Sequence, residues 1–170
     1  MFYRPRRSGR VQRKLKPRVN PTLQKPNGVI SPRVQKVGGE RFGIVCIDPA
    51  KHRSEWMMAD YFGNLLLEPR TLQHRAANFK LAIELIRQTQ KEHDIQDTIV
   101  VLERTGNYHL PPKRAFASAG FETRIVHPFA TKQFRMPADP GNKTDHTDLY
   151  AQHRASAQVS RLTDRACHNR

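Results

Sequence analysis

The sequence predicts an α/β domain: a mixed sheet whose first three strands run antiparallel, with flanking helices and a basic, disordered N-terminal arm. Two β-rich apolar runs, Phe42–Ile47 and Thr98–Leu102, each stop at an acid, Asp48 and Glu103. Between them Phe79, Ile83, Leu85 and Ile86 recur at helical spacing. Residues 1–40 hold 11 Lys/Arg and one acid but no apolar periodicity. Such a segment buries too little surface to offset the entropy of ordering it.

With 170 residues, 37% of them hydrophobic, the chain has room for one packed core and a tail. The formal charge is +15, of which +10 falls in residues 1–40, so the basic excess belongs mainly to the arm. A solvated polycation with no amphipathic apolar face suits nucleic acid better than a membrane. Cys46 lies inside an apolar run and Cys167 near the end, which offers neither a disulfide framework nor a paired metal spacing. The N-terminus lacks the apolar core of a signal peptide, and no stretch approaches the ~20 apolar residues that span a bilayer. Secreted and membrane classes are therefore disfavoured, and the expected location is the cytoplasm, in association with the nucleoid.

Each element follows from local signals. Pro5, Pro17, Pro21, Pro26 and Pro32 punctuate the arm, residues 1–40. The domain, residues 41–160, begins with the Phe42–Ile47 strand, which stops at Asp48-Pro49. Ser54–Asp60 and Asn64–Glu68 read as two further strands joined at Tyr61-Phe62-Gly63, so the three form an antiparallel meander. A helix is expected over His74–His93, a buried strand over Asp97–Glu103, and a second helix over Leu110–Ala119, capped by Gly120. Glu122–His127 reads as a strand, Ala130–Lys143 as a Pro/Gly-punctuated loop, Thr144–Ser160 as a last helix, and residues 161–170 as a tail. The order β-β-β-α-β-α-β-α is that of an RNase H-like fold, and no solenoid-type repeat is present.

Functional groups of open α/β sheets gather beyond the carboxyl ends of the strands. Asp48 and Glu103 sit at two such ends, each held by a rigid apolar strand. Asp145 and Asp148 are three residues apart, which on a helix places both on one face of the first turn. Four converging carboxylates repel one another unless hard divalent cations such as Mg²⁺ or Mn²⁺ are bound between them. Two such ions roughly 4 Å apart activate a nucleophilic water or hydroxyl and stabilise the leaving oxygen of a phosphodiester. The competing reading is structural: acids at strand ends also cap turns and helices, and Asp60 and Asp97, which border strands too, serve as examples.

Three segments resemble motifs of one family in order. Gly43-Ile44-Val45-Cys46-Ile47-Asp48 followed by Lys51 is similar to its opening strand, Glu103-Arg104-Thr105-Gly106-Asn107-Tyr108 to its E-x-T-G-x-Y segment, and Lys143-Thr144-Asp145-His146-Thr147-Asp148 to its K-T-D-x-x-D segment. The family is that of the DEDD-type insertion-sequence transposases and their Piv/MooV-like invertase relatives, and the resemblance spans residues 42–158. It implies a RuvC-like domain in which Asp48, Glu103, Asp145 and Asp148 are the catalytic tetrad and hold Mg²⁺ or Mn²⁺. The implied activity is DNA transposition or site-specific recombination by phosphodiester cleavage and strand transfer. The implied partners are DNA, a guide RNA from the element's own ends, and further copies of the chain in the full-length form. The family has a separate C-terminal domain that supplies a nucleophilic serine, and the expectation is a chain truncated before it. Pro49 after Asp48 and Leu149, where a small alanine is usual, are further departures.

Other residues are placed by their chemistry. Thr105-Gly106 turns the chain after Glu103, with Gly106 suited to positive φ. Tyr108 is a candidate for stacking on a base or sugar, or else core. Lys51, Arg104, Lys132, Arg135 and Lys143 are candidates for a phosphate path, or solvated charges. His109, His146, His153 and His168 show no zinc-ligand spacing, His127-Pro128 ends a strand, and Trp56 is packing. Two rival functions stand beside the recombinase: a non-catalytic nucleic-acid-binding remnant, and a standalone RuvC-like junction nuclease.

Overall fold

The computed structural model describes residues 30–133 and 145–158. Five strands form one sheet: Phe42–Pro49 (β1), Arg53–Asp60 (β2), Leu65–Gln73 (β3), Asp97–Glu103 (β4) and Glu122–Val126 (β5), in the order β3-β2-β1-β4-β5. β2 pairs antiparallel with both β1 and β3, and β4 runs parallel to both β1 and β5. This is the RNase H-like arrangement expected from the element order, with β1 and its six buried residues Phe42–Ile47 in the centre. Strands buried on both faces read as continuous apolar runs, which is why β1 and β4 were visible in the sequence.

Successive side chains of a strand point to opposite faces. On one face Val45, Ile47, Trp56, Met58, Val100 and Leu102 pack with Phe79, Ala82 and Ile86 of Ala76–Glu92 (α2) and Phe116 of Leu110–Ser118 (α3). On the other, Phe42, Ile44, Cys46, Met57, Ile99, Val101 and Val126 pack with Ile30 of Ile30–Val37 (α1) and with Leu149 and Ala155 of Asp145–Gln158 (α5). Gly120, at φ +90°, ends the α3 turn as expected.

The orientation of α5 is fixed by three side chains. Tyr61 Oη donates to Ala157 O at 3.2 Å, and His153 Nε2 donates to Asp60 O at 2.7 Å. Asp60 is the Cα partner of Gly43, at the amino end of β1. At its middle, α5 reaches Ile47 and Val101 through Gln152. The helix therefore crosses the sheet with its last turns toward the amino end of β1 and its first turns toward the carboxyl ends of β1 and β4.

Three stretches differ from expectation. The disordered arm was expected to run to residue 40, but Ile30–Val37 is helical and Ile30 is buried in the core. Pro32 lies in the first turn, where a missing N–H costs nothing, and Ile30, Val34 and Val37 form an apolar stripe packed on the sheet. Arg33 then clamps the helix down, donating to Asp97 through Nε at 2.8 Å and Nη2 at 2.6 Å and pairing with Glu122. β3 continues five residues past its expected end at Glu68, through Pro69. It is an edge strand whose register shifts opposite Trp56–Ala59, the setting in which a strand tolerates proline. The expected loop from Ala130 begins inside a short helix, Pro128–Gln133 (α4), started by a proline. The rest of that loop, the arm up to residue 29 and the tail at 161–170 lie outside the described residues.

Candidate metal centre

Asp48 and Glu103 share a face and an end of the sheet. Ile47 and Leu102 are Cα partners across the parallel β1–β4 ladder. The two acids occupy the next position on each strand, roughly 4.8 Å apart along the hydrogen-bonding direction. Asp48 has the parity of Cys46 and Ile44, and Glu103 that of Val101 and Ile99, all on the α5 face. Both acids therefore project toward α5. Asp48 is half-buried and Glu103 buried, so the site is bounded by packed backbone.

Asp148 approaches from above. It is buried, one helical turn before Gln152 and on the same side of α5. Gln152 Nε2 donates to Ile47 O at 3.1 Å and to Val101 O at 3.0 Å, which pins α5 over the β1–β4 seam. Asp148 consequently lies toward the carboxyl end of that seam. Asp145 is the first residue of α5, and its side chain lies outside the described residues.

The segment after Glu103 turns sharply, as expected. Arg104 N donates to Val126 O at 2.8 Å, Tyr108 N to Thr105 O at 3.0 Å, and Gly106 sits at φ +49°. A residue with a Cβ would be strained there, although nothing lies within 4 Å of where that Cβ would be. Tyr108 is 42% exposed, so it is available at the rim and is not core. Burial holds the His109 imidazole below its usual range. Lys51, in the β1–β2 turn, and Arg104 are exposed at the same end of the sheet as the acids, and Lys132, in the last turn of α4, is exposed as well. Arg135 and Lys143 lie outside the described residues.

The two acids set aside as structural examples are structural. Asp60 accepts from Asn64 N at 2.8 Å and from Asn64 Nδ2 at 2.7 Å, closing the β2–β3 turn. Asp97 holds Arg33, whose guanidinium keeps that carboxyl below its ordinary range. Burial pushes the Cys46 thiol up, out of reach of thiolate chemistry near neutral pH. Trp56 is core packing.

Two residues at the site were not singled out from the sequence. Glu55 is the Cα partner of Asp48 on β2 and accepts from Thr71 Oγ1 at 2.7 Å. The inward alternation of Trp56 and Met58 already placed Glu55 on the opposite face, but the hairpin register was needed to set it beside Asp48. Gln152 belongs to no motif, and its only signal was its place four residues after Asp148.

A hard divalent cation fits the donor set, which is all carboxylate oxygen on one face at the strand ends. Among the described residues, no three His, Cys, Asp or Glu side chains are gathered closely enough to hold a metal ion. Asp48 and Glu103 lie at the carboxyl ends of β1 and β4, and Asp148 faces the same end of the seam from α5.

Residues 45–163 match a family model described as a transposase, that of the IS110-type DEDD transposases. A comparison with curated proteins finds no significant match. Among solved structures, Thermus thermophilus RuvC in complex with a Holliday junction substrate is similar at 12% identity and a TM-score of 0.46, over 71% of this chain and 95% of that one. A second Thermus thermophilus RuvC structure gives 13% identity, the same TM-score, and 70% and 95% coverage. An Aquifex aeolicus member of the Ppx/GppA family is similar at 12% identity and a TM-score of 0.35, over 55% of this chain and 38% of that one.

Proposed function

The chain belongs to the DEDD family of insertion-sequence transposases, and on that premise we propose that it is the metal-dependent DNA-cutting domain of a transposase, with Asp48, Glu103, Asp145 and Asp148 as its ligands for Mg²⁺ or Mn²⁺. The observation that carries the reading is the convergence of Asp48 and Glu103 on one face of the central seam, under the helix that bears Asp145 and Asp148. A hard divalent cation held by these carboxylates supplies Lewis acidity to an attacking oxygen and to the leaving oxygen of a phosphodiester.

The chain's own groups do the rest. The rigid strands β1 and β4 hold two acids at fixed spacing. The Thr105-Gly106 turn directs the chain away from Glu103 and leaves the crevice open to a strand of DNA. Lys51, Arg104, Lys132, Arg135 and Lys143 neutralise phosphates along the approach, and Tyr108 stacks on a base or sugar. A serine-bearing domain for strand transfer, a guide RNA for target choice, an oligomeric active form and action on DNA in the cytoplasm belong to the same proposal, as what family membership implies. No helix among the described residues is long and apolar enough to cross a membrane.

The test is processing of element-end DNA in Mg²⁺ by the chain together with a serine-bearing domain. Asp48→Asn and Glu103→Gln are expected to lose at least a hundredfold in rate while keeping the wild-type melting temperature within a few degrees. Retained activity in either variant overturns the ligand assignment.

A further inference from the structure

We propose that Gln152 is a positioning residue of this centre: its amide staples the β1–β4 seam and thereby fixes the spacing of Asp48 and Glu103 beneath Asp148. The proposal rests on the carboxylate reading above. One NH₂ group donates both its hydrogens to the main chain, to Ile47 O at 3.1 Å and to Val101 O at 3.0 Å. Ile47 immediately precedes Asp48, and Val101 lies two residues before Glu103. Carbonyl oxygens only accept, so the NH₂ end of the amide must face the seam. Any widening of the seam between the two acids stretches one of these bonds.

The amide is a poor choice for stability alone. Gln152 is fully buried, and its Oε1 has no hydrogen-bond partner among the described residues. A leucine would fill nearly the same volume without stranding an oxygen, and removing that orphan would offset part of the cost of losing the two hydrogen bonds. What leucine cannot do is tie two strands and a helix together one residue behind Asp48 and two behind Glu103. Asp148 shares the face of Gln152 one turn away, so the same staple sets its height over the seam.

The experiment titrates Mn²⁺ into the full chain, reading free Mn²⁺ by electron paramagnetic resonance, with melting temperature measured in parallel. Gln152→Leu is expected to melt within a few degrees of wild type and to need at least fivefold more Mn²⁺ at midpoint, while Asp48→Asn loses uptake. Gln152→Met, which keeps length and volume without a donor, should behave as Gln152→Leu does. A folded Gln152→Leu or Gln152→Met with the wild-type midpoint overturns the proposal. So does failure of both variants to fold, which would assign the amide to the fold alone. Wild-type chain that takes up no Mn²⁺ overturns the carboxylate reading and this proposal with it, a result separate from an unshifted midpoint.

Discussion

Replacing Ile30 with alanine asks whether α1 is part of the domain or a segment resting on it. Ile30 is 2% exposed and shares a core cluster with Phe42, Ile44, Ile99 and Leu149. Deleting a buried isoleucine to alanine costs about 2–5 kcal/mol, the lower end applying where neighbours collapse into the space. The site lies at the first residue of an eight-residue helix, where relaxation is easy, so about 2–3 kcal/mol is expected. At roughly 4 °C per kcal/mol for a domain of this size, the melting temperature falls by about 8–12 °C. Gln35→Ala, on the exposed side of α1, is the control and should stay within about 0.5 kcal/mol. The assay is urea unfolding followed by circular dichroism, with the melt as a second probe. A loss below about 0.5 kcal/mol for Ile30→Ala would refute the docking of α1 and return the domain boundary to residue 41.

Gly106→Ala should cost about 1–2 kcal/mol through the left-handed backbone alone, because its Cβ meets nothing within 4 Å. Gly106→Asn should cost less, since asparagine tolerates that region; urea unfolding that ranks alanine above asparagine in stability would count against the turn. His153 is held neutral, chiefly by burial, with its pKa below the usual value. The unfolded chain therefore binds a proton there before the folded chain does, and stability falls as pH drops below about 6.5 until the folded group titrates. His153→Gln should flatten the stability–pH slope below pH 6.5, measured by urea midpoints; an unchanged slope would show that the proton is taken up elsewhere.

How much was legible depended on whether burial leaves a mark in composition. β1 and β4 lie at the centre of the sheet, so their residues are apolar on both faces and the acid that ends each run stands out. Asp48 and Glu103 were readable for that reason, and their common face follows from counting by twos. Asp148 was readable from its motif, whereas its burial on the sheet-facing side of α5 depends on tertiary contacts. The helix at Ile30–Val37 was hidden because prolines and basic residues dominate the arm's composition, while the three apolar positions that dock it are few. The third strand was expected to end at Glu68, just before Pro69, and sequence does not reveal that a strand lies at an edge where proline is tolerated. Gln152 was invisible for a deeper reason: a glutamine on a weakly amphipathic helix looks like a surface residue until the carbonyls it reaches are in place.

The staple across the seam also sets a clock. Its two hydrogen bonds join residues 105 and 51 positions apart in the chain, whereas the β1–β3 meander closes between neighbouring strands. Contacts between distant segments form late, because loop closure must precede any gain from them. At about 5–20 residues per second, synthesis delivers α5 roughly 5–20 s after β1. A half-made chain can pair its first strands, yet it has no Asp148 to offer them. In this arrangement the proposed capacity to cut DNA is withheld until nearly all of the domain exists, so a broken-off nascent chain would be a harmless one.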